Sequence, residues 1–160
     1  MEETEKARGM LGSQPPVVDV FLNHPNFAQF SKEELKIFTA CCKEKKLNED
    51  EILFSEGEPG LSMYIVKKGG IKILKMGFLG ETAIARIHPG EFVGEMAVID
   101  SSPRSATVKA TARTELLELS QENYYALKKD SPKVAIKIMD LLLRLLSLRL
   151  RSTTSNLLKK

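Results

Sequence analysis

The sequence predicts a mainly β domain, a sandwich or barrel of short strands, with helices before and after it along the chain. Between residues 48 and 119, short runs of β-branched and apolar residues alternate with glycines and prolines at the spacing typical of all-β folds. In the flanking regions, 17–47 and 120–156, apolar residues recur at helical spacing instead. A chain of 160 residues has room for one such domain.

The composition excludes several classes of protein. Hydrophobic residues make up 42%, charged residues 28% and aromatic residues 6% of the chain, which is unlike collagen, a disordered tail, a disulfide scaffold or a multi-span membrane protein. A chain of this length buries about 68–70% of its unfolded surface, so it needs neither a disulfide nor a metal to fold. The net charge of +3 is too small to indicate nucleic acid as a partner. The longest apolar stretch, 134–150, is interrupted by charged residues, which argues against a membrane span.

The N-terminal residues and the cysteines indicate where the protein resides. Residues 1–16 are polar, lack the apolar stretch of a signal peptide and end in Gly-Ser-Gln-Pro-Pro, so we expect a flexible tail. The adjacent Cys41 and Cys42 would point about 100° apart on a helix and make a poor disulfide pair. Reduced thiols in a cytoplasmic protein are therefore expected, with a redox switch as the alternative.

The region 17–47 is expected to be helical. Pro25 divides it into a short piece and a longer one, and Ser31 with Glu34 forms a capping box at the start of the longer piece.

The β region, 48–119, contains six candidate strands. They are 52–54, 63–66, 71–74, 82–87, 105–110 and 115–119. The segment from Gly94 to Asp100 shows no alternation and lies between two turns, so a short helix is expected there.

Two helices are expected in the C-terminal region, 120–156. Ser120 suits the N-cap of a short helix to about Lys128, and Ser131 followed by Pro132 is typical of a helix start. The long helix carries one narrow polar stripe and is otherwise nearly all apolar, so several of its sides must be covered. The residues with the spacing of a two-helix seam are Val134, Ile138, Leu141, Leu145 and Leu148. This seam predicts a homodimer through the C-terminal helix, and cover by the chain's own barrel is the alternative.

The segment 90–108 has the parts of a phosphate-binding site. Gly94 precedes the expected short helix and lets a ligand approach the backbone, where unpaired N–H groups attract an anion. Arg104 follows a Ser-Ser-Pro turn and can bind two oxygens of one phosphate. Glu95 would be repelled by a phosphate and suits a hydroxyl donor such as a ribose 2′-OH. Taken singly, Glu95 could equally be a solvated carboxylate at a helix start and Arg104 a surface ion-pair partner.

The order of these residues resembles the phosphate-binding cassette of the cyclic-nucleotide-binding domain family. That pattern is approximately F-G-E-[LIMV]-A-[LIV], a variable turn, then P-R-[AST]-A-[ST]-V. This sequence has Val93 in place of the Phe and matches with Gly94, Glu95, Met96, Ala97, Pro103, Arg104, Ser105, Ala106, Thr107 and Val108. Segments 54–60 and 63–69 are similar to the family's first strands and turns. The resemblance covers about 17–155 and is to the catabolite-activator and protein kinase A regulatory-subunit type.

The resemblance implies an eight-stranded jelly roll (a double-stranded β-helix) with N-terminal helices, a short helix in the cassette and a long C-terminal helix. It assigns Arg104 to a cyclic phosphate and Glu95, with the Gly94 backbone, to the ribose 2′-OH. The amides of Ala97 and Ser105 would face the phosphate, and the Ser105 hydroxyl would also touch it. The resemblance also implies that three neighbouring residues of the cassette contact the ligand, namely Val93, Met96 and Ala106.

The C-terminal helix adds three further candidates for the site. Arg149 lies off the polar stripe, so it is expected to point toward the apolar side and to contact either the nucleotide or the cassette. A snorkelling or dimer-paired arginine is the alternative. Thr153 and Thr154 fall approximately where the catabolite-activator branch places a Thr-Ser pair that contacts adenine.

These observations predict a cyclic-nucleotide sensor, with cAMP as the first ligand and cGMP as the second. Its output would be an unknown protein effector or a change in its own dimer, because no helix-turn-helix or other effector domain is expected in the sequence. The alternative is an interaction or oligomerisation module with the same fold that binds no nucleotide. An enzyme is not expected, since hydrolysis would need a metal set or a free base, and His24 and His88 stand in unlike contexts.

Overall fold

The N-terminal region begins with helices that pack on the barrel. A computed structural model describes residues 17–159, so the predicted flexible tail, 1–16, lies outside the described residues. Helix α1 spans Val17–Leu22, a short 3-10 helix spans Pro25–Phe27, and α2 spans Lys32–Ala40. The capping box forms as predicted, because the Ser31 hydroxyl accepts from the Glu34 amide at 3.1 Å and Glu34 Oε2 accepts from the Ser31 amide at 3.0 Å.

The prediction of helix as far as residue 47 is wrong. The helical region ends at Ala40, and strand β1 occupies Lys43–Leu47. Of this strand only Leu47 is buried, so the run Lys-Glu-Lys-Lys offers no apolar face that could hold a helix against the domain. Antiparallel pairing with a strand at 114–118 determines its conformation instead, a tertiary contact that overrides the local pattern.

The eight strands form two antiparallel sheets, which confirms the predicted jelly roll. After β1, the strands are β2 (Ile52–Phe54), β3 (Ser62–Lys68), β4 (Ile71–Gly77), β5 (Gly80–Ile87), β6 (Phe92–Val93), β7 (Thr107–Ala110) and β8 (Thr114–Ser120). One sheet has the order β1-β8-β3-β6 and the other β2-β7-β4-β5. The predicted short helix in the cassette is present as α3, Glu95–Asp100.

Two apolar clusters hold the domain together, and β3 belongs to both. Tyr64 and Val66 face the interior of the barrel, together with residues from both sheets. Met63 and Ile65 point the other way, into a cluster formed with the N- and C-terminal helices. Because both of its faces are covered, β3 is a continuous buried run rather than an alternating one.

The C-terminal helices are α4, Gln121–Asp130, and α5, Pro132–Leu157. Four of the five residues predicted to form a dimer seam on α5 are buried within the chain's own helical cluster: Val134, Ile138, Leu141 and Leu145. The fifth, Leu148, is exposed. The predicted seam is therefore wrong, because helices and strands of the same chain already cover it. The alternative, cover by the barrel, names only part of that cover.

A different apolar stripe of α5 is left uncovered. Its exposed members are Ile136, Leu143, Leu150 and Leu157, each seven residues from the next. Met139 and Leu146 are half-buried and lie between them at spacings of three and four residues. Within the described residues its four exposed members are left uncovered, although Met139 packs against the buried helical cluster. The period of the stripe is that of a coiled-coil seam.

The two faces of α5 should differ sharply in their contribution to stability. Leu141 is 3% exposed and Leu143 is 58% exposed. We expect Leu141→Ala to lower the free energy of unfolding by about 2–5 kcal/mol, through lost burial and a residual cavity. Leu143→Ala should change it by less than about 0.5 kcal/mol in dilute protein. Urea unfolding of the two variants measures the difference, and equal effects would contradict the assignment of faces.

Candidate functional site

A cavity of about 350 Å³ opens between the cassette and the sheet β2-β7-β4-β5, within the range for small-molecule sites. Its walls are mostly apolar, with a few charged groups. The lining residues are Phe54, Ile73, Lys75, Ile84, Val93, Gly94, Glu95, Met96, Ala97, Pro103, Arg104, Ser105, Ala106, Val108 and Arg149.

Most of the residues singled out from the sequence meet in this cavity. Those that line it are Val93, Gly94, Glu95, Met96, Ala97, Arg104, Ser105, Ala106 and Arg149. Thr153 and Thr154 do not: both are exposed, and their hydroxyls donate to the carbonyls of Arg149 and Leu150 at 3.0 Å. Helix α5 continues regularly past them, so these threonines lie one turn beyond the residue that reaches the cavity.

The sequence does not predict the residues of the apolar wall as part of the site. This wall is formed mainly by Phe54, Ile73, Ile84 and Val108, which come from four different strands. Ile84 enters because β5 has an extra residue: Ile73 pairs with Ala85 and Leu74 with Ala83, which leaves Ile84 unpaired at a bulge. No local pattern in the sequence indicates this bulge or the pairing of the strands.

Arg104 is a buried cation with no carboxylate partner. The residue is 6% exposed, and none of the ion pairs among residues 17–159 includes it. Its Nη1 donates to the carbonyls of Ser62, at 2.8 Å, and Gly94, at 3.2 Å, while Nε is buried without a hydrogen-bond partner. Burial lowers the pKa of Arg104 below its ordinary value. A guanidinium held in this way suits an anion with several acceptor oxygens.

Two glycines and an aromatic ring fix the position of this guanidinium. Its Cζ lies 4.0 Å from the centroid of the Phe54 ring, a cation–π contact. A Cβ at Gly60 would lie 2.3 Å from Nε of Arg104, and a Cβ at Gly94 would lie 2.6 Å from Nη1. Gly94 also has a φ of +76°, a conformation that favours glycine. Any larger residue at either position would displace the Arg104 side chain.

Glu95 is the second buried charge in the cavity. The residue is 5% exposed, its Oε1 lies 3.4 Å from Nη1 of Arg149, and its Oε2 is buried without a hydrogen-bond partner. Arg149 also donates through Nη2 to the Phe92 carbonyl. Of the two contacts expected for Arg149, the one with the cassette is therefore formed. The free carboxylate oxygen suits a hydroxyl donor.

Metal-binding clusters and membrane-spanning helices are both absent from residues 17–159. In the stretch 17–159, no group of three or more histidine, cysteine or acidic residues is arranged to hold a metal ion. No helix in that part of the chain is long and apolar enough to cross a membrane.

Comparison with known proteins identifies the family of this chain. The family model for the cyclic nucleotide-binding domain matches residues 44–131, so the chain belongs to that family. It is 32% identical over 121 residues to the cyclic AMP receptor protein of Thermus thermophilus, a match that covers 75% of this chain and 56% of that protein. The chain thus spans little more than half the length of this relative.

Solved structures show the same likeness. A cyclic nucleotide-binding domain from Methylobacillus flagellatus superposes with a TM-score of 0.80 at 29% identity, over 89% of this chain and 81% of that one. The catabolite activator protein of Thermus thermophilus superposes with a TM-score of 0.71 at 32% identity, over 84% and 63% of the two chains.

Because no carboxylate pairs with Arg104, we expect this buried charge to lower the free energy of unfolding of the protein without ligand. We expect Arg104→Met to leave the free energy of unfolding unchanged or to raise it, because an apolar side chain of similar size removes a desolvated charge. Urea unfolding in phosphate-free buffer measures this, with the exposed Arg86→Met as the control. A loss of more than about 1 kcal/mol relative to that control would show that the contacts of Arg104 outweigh its desolvation.

Proposed function

We propose that this chain is a cyclic-nucleotide sensor whose first ligand is cAMP. The observation that carries the proposal is the buried Arg104, without a carboxylate partner, in the same cavity as a buried carboxylate that has a free oxygen. A cyclic nucleotide presents one anionic phosphate and one ribose hydroxyl at a short, fixed separation, which complements that pair of charges. Membership of the cyclic nucleotide-binding domain family supports the same ligand class.

Each part of the ligand has a matching group in the cavity. Arg104 binds the cyclic phosphate, assisted by the Ser105 hydroxyl and by the amide of Ala97, which in the first turn of α3 has no helical carbonyl to pair with. Glu95 accepts a hydrogen bond from the ribose 2′-OH. The apolar wall that includes Ile73 and Ile84 packs against the base.

The preference for cAMP over cGMP has one supporting observation, whereas the ligand class has several. It is supported by the name of the Thermus relative, a cyclic AMP receptor protein. Thr153 and Thr154, which the sequence analysis connected with adenine, lie outside the cavity and give no support. We keep cGMP as the second ligand.

The ion pair between Arg149 and Glu95 connects the ribose site to α5. When a ribose 2′-OH donates a hydrogen bond to Glu95, the carboxylate gains a second partner, and the strength of its ion pair with Arg149 changes. Ligand therefore shifts the position of α5 to the extent that it binds one arrangement of this pair better than another. An effector protein, or a second copy of the chain, detects that shift.

We further propose that the chain forms a homodimer through α5, along the uncovered stripe rather than the predicted seam. The exposed residues Leu143 and Leu150 are central to this stripe, whose spacing of three and four residues is that of two packed helices. A separate effector helix on the same stripe is the alternative occupant.

Titration calorimetry tests the ligand class directly. Wild type and Arg104→Met are titrated with cAMP, cGMP and cyclic di-GMP, with Arg86→Met as the control. We expect wild type and the control to bind cAMP, and Arg104→Met to lose about 2–5 kcal/mol of binding free energy, because the phosphate loses its buried cation. If wild type binds none of these nucleotides, the nucleotide-independent interaction module becomes the better account of the fold.

Glu95 should determine the response to the sugar. We expect Glu95→Gln to reduce the ratio of affinities for cAMP and its 2′-deoxy analogue, because the amide is a weaker acceptor for the 2′-OH than the carboxylate. Both affinities are measured by calorimetry on both proteins. A ratio that is the same in wild type and variant would remove Glu95 from the ribose site.

The dimer prediction has a matched control on the same helix. Leu143→Lys combined with Leu150→Lys should give monomers that still bind nucleotide, since both positions are exposed in the isolated chain. Leu148→Lys should remain dimeric, because Leu148 is equally exposed but lies about 140° around the helix from Leu143. Sedimentation velocity measures the assembly, and a monomeric wild type at high micromolar concentration, with and without cAMP, would exclude the dimer.

A further inference from the structure

The site contains a third cation, Lys75, to which the family resemblance assigns no role. We propose that Lys75 contacts the edge of the nucleobase and thereby gives the site affinity for 6-oxopurine cyclic nucleotides such as cGMP, in addition to cAMP. The inference rests on the proposed function, since it presumes a cyclic nucleotide in the cavity.

The position of Lys75 in the cavity is defined by two contacts. Its Nζ donates to the Ser105 carbonyl at 2.7 Å and to Oε1 of Glu56, with which it forms an ion pair. A lysine ammonium carries three N–H donors. These two contacts use two of them, so one donor remains free on a side chain that lines the cavity and is about half exposed at its mouth.

Lys75 lines the cavity together with its apolar wall, while its ammonium donates to the carbonyl of Ser105, whose hydroxyl is assigned to the phosphate. Arg104 provides the phosphate contact and Glu95 the ribose contact, and the wall that remains is the apolar surface of Ile73 and Ile84. A flat purine covers such a surface. Lys75 follows Ile73 by two residues on β4, so both side chains project from the same face of the sheet, and both line the cavity. A base that covers Ile73 would therefore present its edge to the free N–H of Lys75.

A free N–H at this edge distinguishes the two purines. Guanine presents two neighbouring acceptors, N7 and O6, whereas adenine presents the N7 acceptor beside the N6 amino donor. An ammonium has no acceptor, so it gains a hydrogen bond with O6 of guanine and faces a like donor at N6 of adenine. Lys75 therefore raises the affinity for guanine and hypoxanthine relative to adenine. Glu56 acts as a positioning residue, because it holds the ammonium at the mouth of the cavity.

Two other roles for Lys75 would produce different results. A brace that only fixes Ser105 would affect every cyclic nucleotide equally, because all of them share the phosphate. A cation that acts only by long-range attraction would do the same, since all of them carry the same charge. Selectivity among bases is the property that neither role explains.

The test is calorimetric titration of Lys75→Met, Lys75→Arg and wild type with cAMP, cGMP and cIMP. We expect Lys75→Met to weaken cGMP and cIMP about tenfold while cAMP stays within about twofold, as for one charged hydrogen bond lost. Lys75→Arg should retain cGMP and cIMP binding. Lys72→Met is the matched control, because Lys72 lies on the same strand but on its opposite face, between Arg86 and Lys109 and outside the cavity.

The outcomes separate this inference from the proposed function. Parallel weakening of all three nucleotides would overturn the inference in favour of a brace or a general attraction. Loss of cGMP without loss of cIMP would also overturn it, because only the 2-amino group distinguishes those two ligands. A wild type that binds cAMP but neither 6-oxopurine would overturn it and leave the proposed function intact. A wild type that binds none of the three would overturn both.

Discussion

The site depends on one unfavourable arrangement, a guanidinium buried without a carboxylate partner. Arg104 keeps two carbonyl acceptors and an aromatic ring, and these contacts offset part of the cost of removing its charge from water. A carboxylate paired with Arg104 would stabilise the domain without ligand and would compete with any anionic ligand. Gly60 and Gly94 leave room for the Arg104 side chain, so the position of the charge depends on glycine at these two backbone positions.

Around this cation, the remaining charges of the cavity are partly paired. Arg149 contacts one oxygen of Glu95 and leaves the other free, and Lys75 contacts Glu56 and leaves one donor free. Partial pairing lowers the cost of burying each group while retaining a hydrogen-bonding position for ligand. It also ties the site to elements distant in sequence, since Arg149 lies on α5 and Glu56 on the loop that precedes β3.

The sequence was informative where the site is contiguous and uninformative where strands must first pair. The cassette could be recognised because its glycine, carboxylate and arginine lie within a short segment, and local turns bring them together. The residues of β1 are wrongly predicted as helix because the strand that pairs with them lies some seventy residues away in the sequence. The sequence does not predict Ile84 and Lys75 as site residues, because only the register of β4 and β5 brings them to the cavity. The apolar period of α5 was recognised, but which stripe is covered depends on the helices packed against it.

The double burial of β3 restricts how the domain can deform. A slip of one residue would turn Met63 and Ile65 into the barrel and Tyr64 and Val66 toward the helices, so both apolar clusters would be disrupted at once. A smaller shift of the strand along its axis does not avoid this disruption, because side chains of a strand alternate in direction at every residue. Strand β3 is therefore a fixed frame of reference within the domain. Low-energy displacements are expected where few side chains are packed, as in the distal turns of α5, where residues 151–159 are all exposed.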